Sequence, residues 1–159
     1  MDSLLKHMVD MTGHRDHAML DLSVISAVQE LAGARRTRVL SVATVRGKRF
    51  VRARASIEAG RCARMEEQAD HILGEPLAAF PALAGALARH EASAETLGPD
   101  ATRTLWLPIW FADKADTCLE IVLAEPFARE TLSMIGGVVS VYRNFQNLLD
   151  YSERDSLTG

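Results

Sequence analysis

The sharpest constraint on the fold is a change of hydrophobic period at Arg35. Before this residue the apolar side chains recur every three or four positions, whereas from Arg35 to Ile57, "RRTRVLSVATVRGKRFVRARASI", they alternate with period two on both sides of "RGK". Alternation indicates strands with one buried face, and a glycine between two such runs favours a tight turn. The segment therefore predicts an antiparallel hairpin turning at Gly47, so the fold must combine helices with an antiparallel sheet.

Two helices are predicted ahead of the hairpin. The first covers residues 2–11 and is followed by a glycine break in "MTGHRD". The second has apolar residues from Ala18 to Leu31 and places Gly33 where a helix C-cap is expected. Its apolar face is wide, which predicts burial on two sides.

A helical excursion and a second strand pair are predicted after the hairpin. Residues 58–100 are rich in alanine, with short helices expected over residues 63–74 and 80–93. Strands are predicted over residues 103–111 and 117–124. Since proline cannot donate a ladder hydrogen bond, Pro108 predicts an edge position or a bulge in the first of these strands.

A long helix of about 28 residues is predicted from Phe127 onward. Its apolar residues follow spacings of three and four, close to a coiled-coil seam, which predicts a homodimer through the terminal helices. Gly136 and Gly137 interrupt it at a cost of roughly 2 kcal/mol relative to two alanines, which predicts close packing or a kink. The residues assigned to the dimer and signalling seam are Leu132, Ile135, Val139, Tyr142 and Leu149.

The element order and the stretch "LWLPIWFADKADTCLEIVLAEPF" resemble a GAF domain over residues 15 to about 150. The resemblance implies an α+β fold with an antiparallel sheet of about six strands. It also implies N- and C-terminal helices packed on one face and a ligand pocket on the other. The turn "ADKADTCLE" departs from the glycine usual in that family. A PAS domain is the nearest rival, but two helices before the first strand fit a GAF domain better.

The terminal "YSERDSLTG" resembles the beginning of a GGDEF domain, the catalytic domain of diguanylate cyclases. The resemblance implies a sensor domain over residues 1–126, a signalling helix over 127–154 and the start of a truncated GGDEF domain over 155–159. The absent domain would use Mg²⁺ and condense GTP into cyclic di-GMP, while the chain itself would carry no catalytic residue. The residues that match the opening motif are Asp155, Leu157, Thr158 and Gly159.

Two functional interpretations stay open on these resemblances. The first is the sensory and dimerisation region of a bacterial diguanylate cyclase. The alternative is a non-catalytic GAF module that binds a small molecule or a partner protein, upstream of a degenerate GGDEF domain. The reading frame beyond Gly159 discriminates between them.

The hairpin carries a row of cations at even positions, and this row is open to two interpretations. It is either a solvated or helix-paired face or an anion pocket in which Arg52 and Arg54 bind phosphate or carboxylate. In the first interpretation the helices supply neutralising acids such as Asp10, Asp16, Asp21 and Glu30. Trp106 and Trp110 share parity and are candidates to line an apolar pocket with Arg52 and Arg54. The cations concerned are Arg36, Arg38, Arg46, Lys48, Arg52 and Arg54.

Neither a metal nor a cofactor is predicted within this chain. His14, Asp16 and His17 have a compatible spacing but no accompanying third cluster, so a polar helix start is the favoured interpretation. Cys62 is not followed by the histidine usual at a bilin attachment site, and Cys118 alternates in a strand, so both are interpreted as unreactive.

Charge and composition limit the classes of partner that are expected for the chain. A formal net charge of −3 gives no general attraction for nucleic acid or for an anionic membrane, and no stretch reaches about 18 uncharged apolar residues. Two isolated cysteines fit a reducing compartment, so a cytoplasmic location is predicted. The expected partners are a second copy of the chain and an unidentified small molecule.

Overall fold

The computed structural model of the chain describes residues 17–66 and 74–158, with side chains described as far as residue 149. The helix predicted over residues 2–11, His14, Asp16, most of the helix predicted over 63–74, and Gly159 lie outside the described residues.

The first described helix, α1 (His17–Ala32), confirms the second predicted helix. Its apolar face is fully buried, with Leu20 and Val24 at 0% exposure. The helix ends at Gly33, which has φ of +60° and donates its N–H to the carbonyl of Gln29. This is the left-handed C-cap that the sequence predicted, because glycine adopts positive φ without steric cost.

The predicted hairpin is confirmed as β1 (Arg36–Val45) and β2 (Lys48–Glu58). Arg46 and Gly47 at the turn both have positive φ, which matches the twist of the flanking strands. The strands are not regular throughout, since Val39 lies opposite Ala55 and Leu40 lies opposite Ala53. Arg54 is therefore an extra residue of a β-bulge, which reverses the side-chain parity of β2 at that point.

The excursion contains more strand than the sequence predicted. Arg64 and Met65 form a short strand, β3, paired with β2, so the helix predicted over 63–74 is wrong at these two residues. Another unpredicted strand is β5 (Ala94–Leu97), which pairs with the following strand. The remaining elements are β4 (Glu75–Pro76), a 3₁₀ turn Leu77–Ala79, α2 (Pro81–Ala88) and a 3₁₀ turn Pro99–Ala101.

The last two strands are β6 (Arg103–Pro108) and β7 (Thr117–Leu123). Pro108 is the last residue of β6 and lies beyond the pairing with β5, which reaches only Trp106. The strand is locally an edge there, so the missing N–H of the proline breaks no ladder bond. All pairings are antiparallel, and the sheet order is β3-β2-β1-β7-β6-β5 with β4 also on β2.

The final helix, α3 (Arg129–Thr158), runs for 30 residues without interruption. Gly136 and Gly137 lie inside it, and a Cβ added at either position would meet nothing within 4 Å. The close packing predicted for this glycine pair is therefore not formed with the described chain, and the helix continues through it.

The two faces of the sheet have separate apolar cores. Neighbouring residues alternate between them, as Cys118 and Leu119 do, because successive side chains of a strand point to opposite faces. One core lies against α1 and α3 and the other against α2. The predicted α+β architecture, an antiparallel sheet with its first and last helices packed on one face, is confirmed with seven described strands.

Candidate functional site

A cavity of about 220 Å³ borders the core under α2. It contains one of the predicted ligand residues, Arg52, together with Arg38, and the acid Glu75 lies in the same wall. Its volume is below the range of roughly 300–1,000 Å³ that is usual for small-molecule sites. The lining residues are Arg38, Leu40, Val51, Arg52, Ala53, Gly74, Glu75 and Phe80.

The two arginines of β1 are held by a buried acid on β7. Glu120 is 3% exposed, and it accepts a bidentate pair from Arg38, with Nε–Oε1 at 2.7 Å and Nη2–Oε2 at 2.8 Å. Arg36 Nη2 donates to the same Oε1 at 3.1 Å. Bidentate pairing fixes the guanidinium plane of Arg38, so this cation is already engaged by the protein.

Arg54 is turned to the opposite side of the sheet, where it meets α1 and α3. Its Nη2 donates to Asp21 Oδ1 and to Tyr142 Oη, both at 3.3 Å. Tyr142 Oη donates to Asp21 Oδ1 at 2.6 Å and accepts from Gln146 Nε2 at 3.1 Å. One buried polar network thus joins the bulge of β2 to both helices.

Burial sets the protonation of this network. Desolvation raises the pKa of Asp21 above its ordinary value of 3.8, although Arg54, Tyr142 and His17 act in the opposite direction. Desolvation, followed by the charge of Asp21, raises the pKa of the Tyr142 phenol. The phenol therefore keeps its proton and remains the donor to the carboxylate.

The two tryptophans occupy different surroundings. Trp106 is in the core under α2, with Nε1 donating to Thr96 Oγ1 at 3.0 Å and its ring edge-on to Phe80 at a centroid distance of 5.7 Å. Trp110 follows the end of β6, donates Nε1–H to the carbonyl of Glu91 at 2.8 Å and stacks on His90 at 3.7 Å. Both indole N–H groups are satisfied within the protein.

The structure does not bring the four predicted pocket residues together. Arg52 lines the 220 Å³ cavity, Arg54 belongs to the network with Asp21, and Trp106 is a core side chain. The bulge at Arg54 changes the face of the residues that follow it, because Val51 and Ala53 lie in the core under α2 whereas Ala55 lies in the core under α1 and α3. Strand β6 ends at Pro108 before it reaches Trp110. Parity along a regular strand, on which the grouping rested, therefore does not apply here. Ligand binding by Arg52 stays a prediction.

The predicted seam residues of α3 divide into two groups. Ile135 and Tyr142 are 1% and 0% exposed and lie in the core against α1 and the sheet, so they face inward and cannot also face a second protomer. Leu132 is 39% exposed, while Val139 and Leu149 are half-buried. Leu148, which the seam did not include, is 60% exposed. Asp155, Leu157 and Thr158 continue the helical backbone at the end of α3.

A larger cleft of about 340 Å³ lies on the helix face, between α3 and the end of β6. Its walls are apolar except for Ser93 and Arg143. The sequence did not predict this site, because its residues come from three separate segments. The lining residues are Ala92, Ser93, Leu105, Leu107, Pro108, Ile109, Trp110, Leu132, Ile135, Gly136, Val139 and Arg143.

The two cysteines differ in burial. Cys118 is fully buried, and desolvation raises the pKa of its thiol. Cys62 is exposed. Across residues 17–66 and 74–149, whose side chains the structure describes, no group of three His, Cys, Asp or Glu side chains could hold a metal ion. No helix in the same ranges is long and apolar enough to cross a bilayer.

Two contacts were not predicted from the sequence, the pairing of Glu120 with the arginines of β1 and the hydrogen bond between Asp21 and Tyr142. Glu120 is the only charged residue of the apolar strand "TCLEIVL", and a lone acid among buried residues indicates a paired charge. Asp21 in α1 was named as a neutraliser of the hairpin cations, and it does meet Arg54. Its link to Tyr142 joins residues 121 positions apart and has no local signal.

No family model matches the chain, and no curated protein matches it. Solved structures do match it, at low sequence identity. The GAF domain of PixJ from Thermosynechococcus elongatus, in its blue-light absorbing form, has a TM-score of 0.66 at 12% identity, covering 91% of this chain and 92% of that one. The GAF-B domain of DevS from Mycobacterium smegmatis has a TM-score of 0.59 at 20% identity, covering 87% and 98%.

A third similar structure is the chromophore-binding domain of an unusual bacteriophytochrome from R. palustris. Its TM-score is 0.65 at 11% identity, with 95% of this chain covered, and the chain spans 62% of that protein's length. The likeness to these three structures lies in the fold, an antiparallel sheet with its first and last helices on one face. The chain has the fold of a GAF domain.

Proposed function

We propose that the chain is the sensory and dimerisation region of a diguanylate cyclase, and that it regulates the synthesis of cyclic di-GMP by a GGDEF domain that follows Gly159. The observation that carries the proposal is the continuity of α3. Ile135 and Val138 lie in the core of the GAF fold, and the same uninterrupted helix extends to Thr158, within the motif that resembles the GGDEF opening. One rigid element thus links the sensor to the output.

The length of α3 supports a signalling role. A helix of 30 residues spans roughly 45 Å, about twice the length of the seven-residue strand β7. The part beyond the sheet is available to pair with the same helix of a second protomer. Among the side chains of α3 that the structure describes, as far as residue 149, Leu148 is the most exposed large apolar residue, at 60%, and Leu149 beside it is half-buried against the core.

Regulation then consists of a change in how two α3 helices pair. A ligand in the GAF fold alters the output only if it binds the two arrangements with different affinity. Arg54 and Asp21 connect the hairpin to both helices, so a movement of β2 would be transmitted to α3. Mg²⁺ and GTP would bind the following domain, and the protein would act in the cytoplasm, where GTP is present.

Two observations test this function. The reading frame should continue beyond the Gly159 codon with Leu-x-Asn-Arg, and the purified chain should have twice its 17.4 kDa mass in light scattering at micromolar concentration. A reading frame without a GGDEF sequence would contradict the proposed control of a cyclase. A monomeric mass across the whole concentration range would contradict the proposed dimerisation through α3.

The alternative function is a GAF module that binds a small molecule without controlling a cyclase. The 220 Å³ cavity, with Arg52 in its wall, favours it. A small carboxylate or phosphate should then raise the melting temperature of the chain, and Arg52→Ala should abolish the rise. The absence of any shift in melting temperature across a panel of anions would contradict this function.

A further inference from the structure

The 340 Å³ cleft on the helix face is a second candidate site, on the opposite side of the sheet from the core under α2. Leu105, Ile109 and Ile135 in its wall belong to the core cluster shared with α1. Its volume lies within the range of roughly 300–1,000 Å³ that is usual for small-molecule sites. It does not depend on the function proposed above.

The chemistry of the cleft selects an amphipathic anion. Its walls contain no Asp or Glu, and Arg143 is the one cation in them. Among the side chains described, as far as residue 149, no carboxylate lies within ion-pair distance of Arg143, and Arg143 is exposed. An arginine fork binds a carboxylate through two parallel hydrogen bonds, so apolar walls with this one cation complement an apolar chain ending in a carboxylate.

The cleft is also open at its helical wall. Leu132 is 39% exposed although it is a large apolar side chain. Gly136 lines the cleft, and a Cβ at this position would meet no atom within 4 Å. A side chain added there would therefore extend into space that the chain itself leaves empty.

We propose that this cleft binds a small amphipathic carboxylic acid. The apolar chain lies against Leu107, Ile109 and Val139, and the carboxylate is held by Arg143. One wall comes from α3, so the ligand directly contacts the helix that leaves the domain.

Isothermal titration of the purified chain with decanoate tests the proposal, with 1-decanol as the uncharged probe of matched length. Decanoate should bind saturably at one site per chain, about tenfold more tightly than decanol, because only the acid engages Arg143. Arg143→Gln should bring decanoate to the affinity of decanol, whereas Arg143→Lys should keep most of the difference.

The glycine pair supplies a matched control. Gly136→Leu should weaken decanoate binding at least tenfold by filling the cleft, while Gly137→Leu, outside the lining, should leave it unchanged. Leucine is a better helix former than glycine, so both variants should fold, as circular dichroism will show.

Three outcomes would overturn the proposal. One is the absence of saturable decanoate binding. Another is equal binding by Gly136→Leu and the unchanged chain. The third is that the chain binds no decanoate and that Gly136→Leu lowers its mass in solution. This result would show that a second copy of the chain occupies the cleft.

Discussion

Tyr142 donates a 2.6 Å hydrogen bond to Asp21, and this contact joins the last helix of the fold to the first. Tyr142 is fully buried and Asp21 is 3% exposed. Arg54 reaches both groups from the bulge of β2. The position of α3 is therefore set by polar contacts as well as by apolar packing.

Tyr142→Phe should destabilise the protein by about 2 kcal/mol, because the buried carboxylate of Asp21 loses its donor and Gln146 loses an acceptor. Urea denaturation measures this change. In a double-mutant cycle with Asp21→Asn, the two losses should couple by about 1 kcal/mol or more, since they share one contact. Strict additivity would show that the contact does not contribute.

The stability of the protein should depend on pH through Asp21. Its folded-state pKa is raised above 3.8 by burial, so the folded state binds the proton more tightly than the unfolded state. The contribution of this group to the free energy of unfolding is therefore greatest below pH 3.8. It falls as the pH rises from there through the raised pKa of Asp21.

The variant Asp21→Asn isolates this effect. Urea titrations across that window should show the stability of the variant rising relative to the unchanged protein as the pH increases, then holding constant. His17, Arg54 and Tyr142 face the carboxyl in both proteins, so they largely cancel in the difference. A difference that is flat, or that falls with pH, would contradict the assignment.

Glu120→Ala should cost about 2 kcal/mol of stability, because it leaves the guanidinium groups of Arg36 and Arg38 facing a partly buried site without their acid. The expected loss of stability is smaller than for a fully buried ion pair, since the side chains of Arg36 and Arg38 are 40% and 23% exposed. Asp116→Ala is the control, as its pair with Lys114 is exposed and should contribute less than about 1 kcal/mol. Equal losses in the two variants would contradict the special role of Glu120.

The parts of the fold that local pattern determines were predictable from the sequence. The hairpin turn at Gly47 and the C-cap at Gly33 follow from local backbone chemistry, and the structure confirms both. The period of three and four in α3 predicted the helix. It could not separate Ile135, which faces the core of its own chain, from Leu132, which does not, because both fit the same stripe.

The candidate site was less predictable, because long-range pairing builds it. The extra residue at Arg54 reverses the parity of β2, and no local signal announces a bulge of this kind. Arg38 could be recognised as cationic, but its partner Glu120 is 82 residues away. The cleft at Gly136 likewise depends on where α3 crosses the end of β6.

Leu148→Glu should shift the chain from dimer to monomer, since it places a charge in the apolar surface through which we propose that α3 pairs. Light scattering at a series of concentrations should show the dissociation constant raised at least tenfold. Leu97→Glu is a matched control, because Leu97 is similarly exposed, at 66% against 60%, but lies on β5. Dimers of equal strength in both variants would place the interface elsewhere.

The most direct test of the central claim is the conversion of GTP into cyclic di-GMP by the product of the complete reading frame, with Mg²⁺ present. We expect cyclic di-GMP to form. We also expect one alanine inserted between Asp150 and Tyr151 to change the rate severalfold, because it rotates the domain beyond α3 by about 100°. A seven-residue helical insertion restores the phase to within about 20° and should restore the rate. No cyclic di-GMP from the dimeric protein, or a rate indifferent to the single insertion, would contradict the claim that α3 carries regulation to a cyclase.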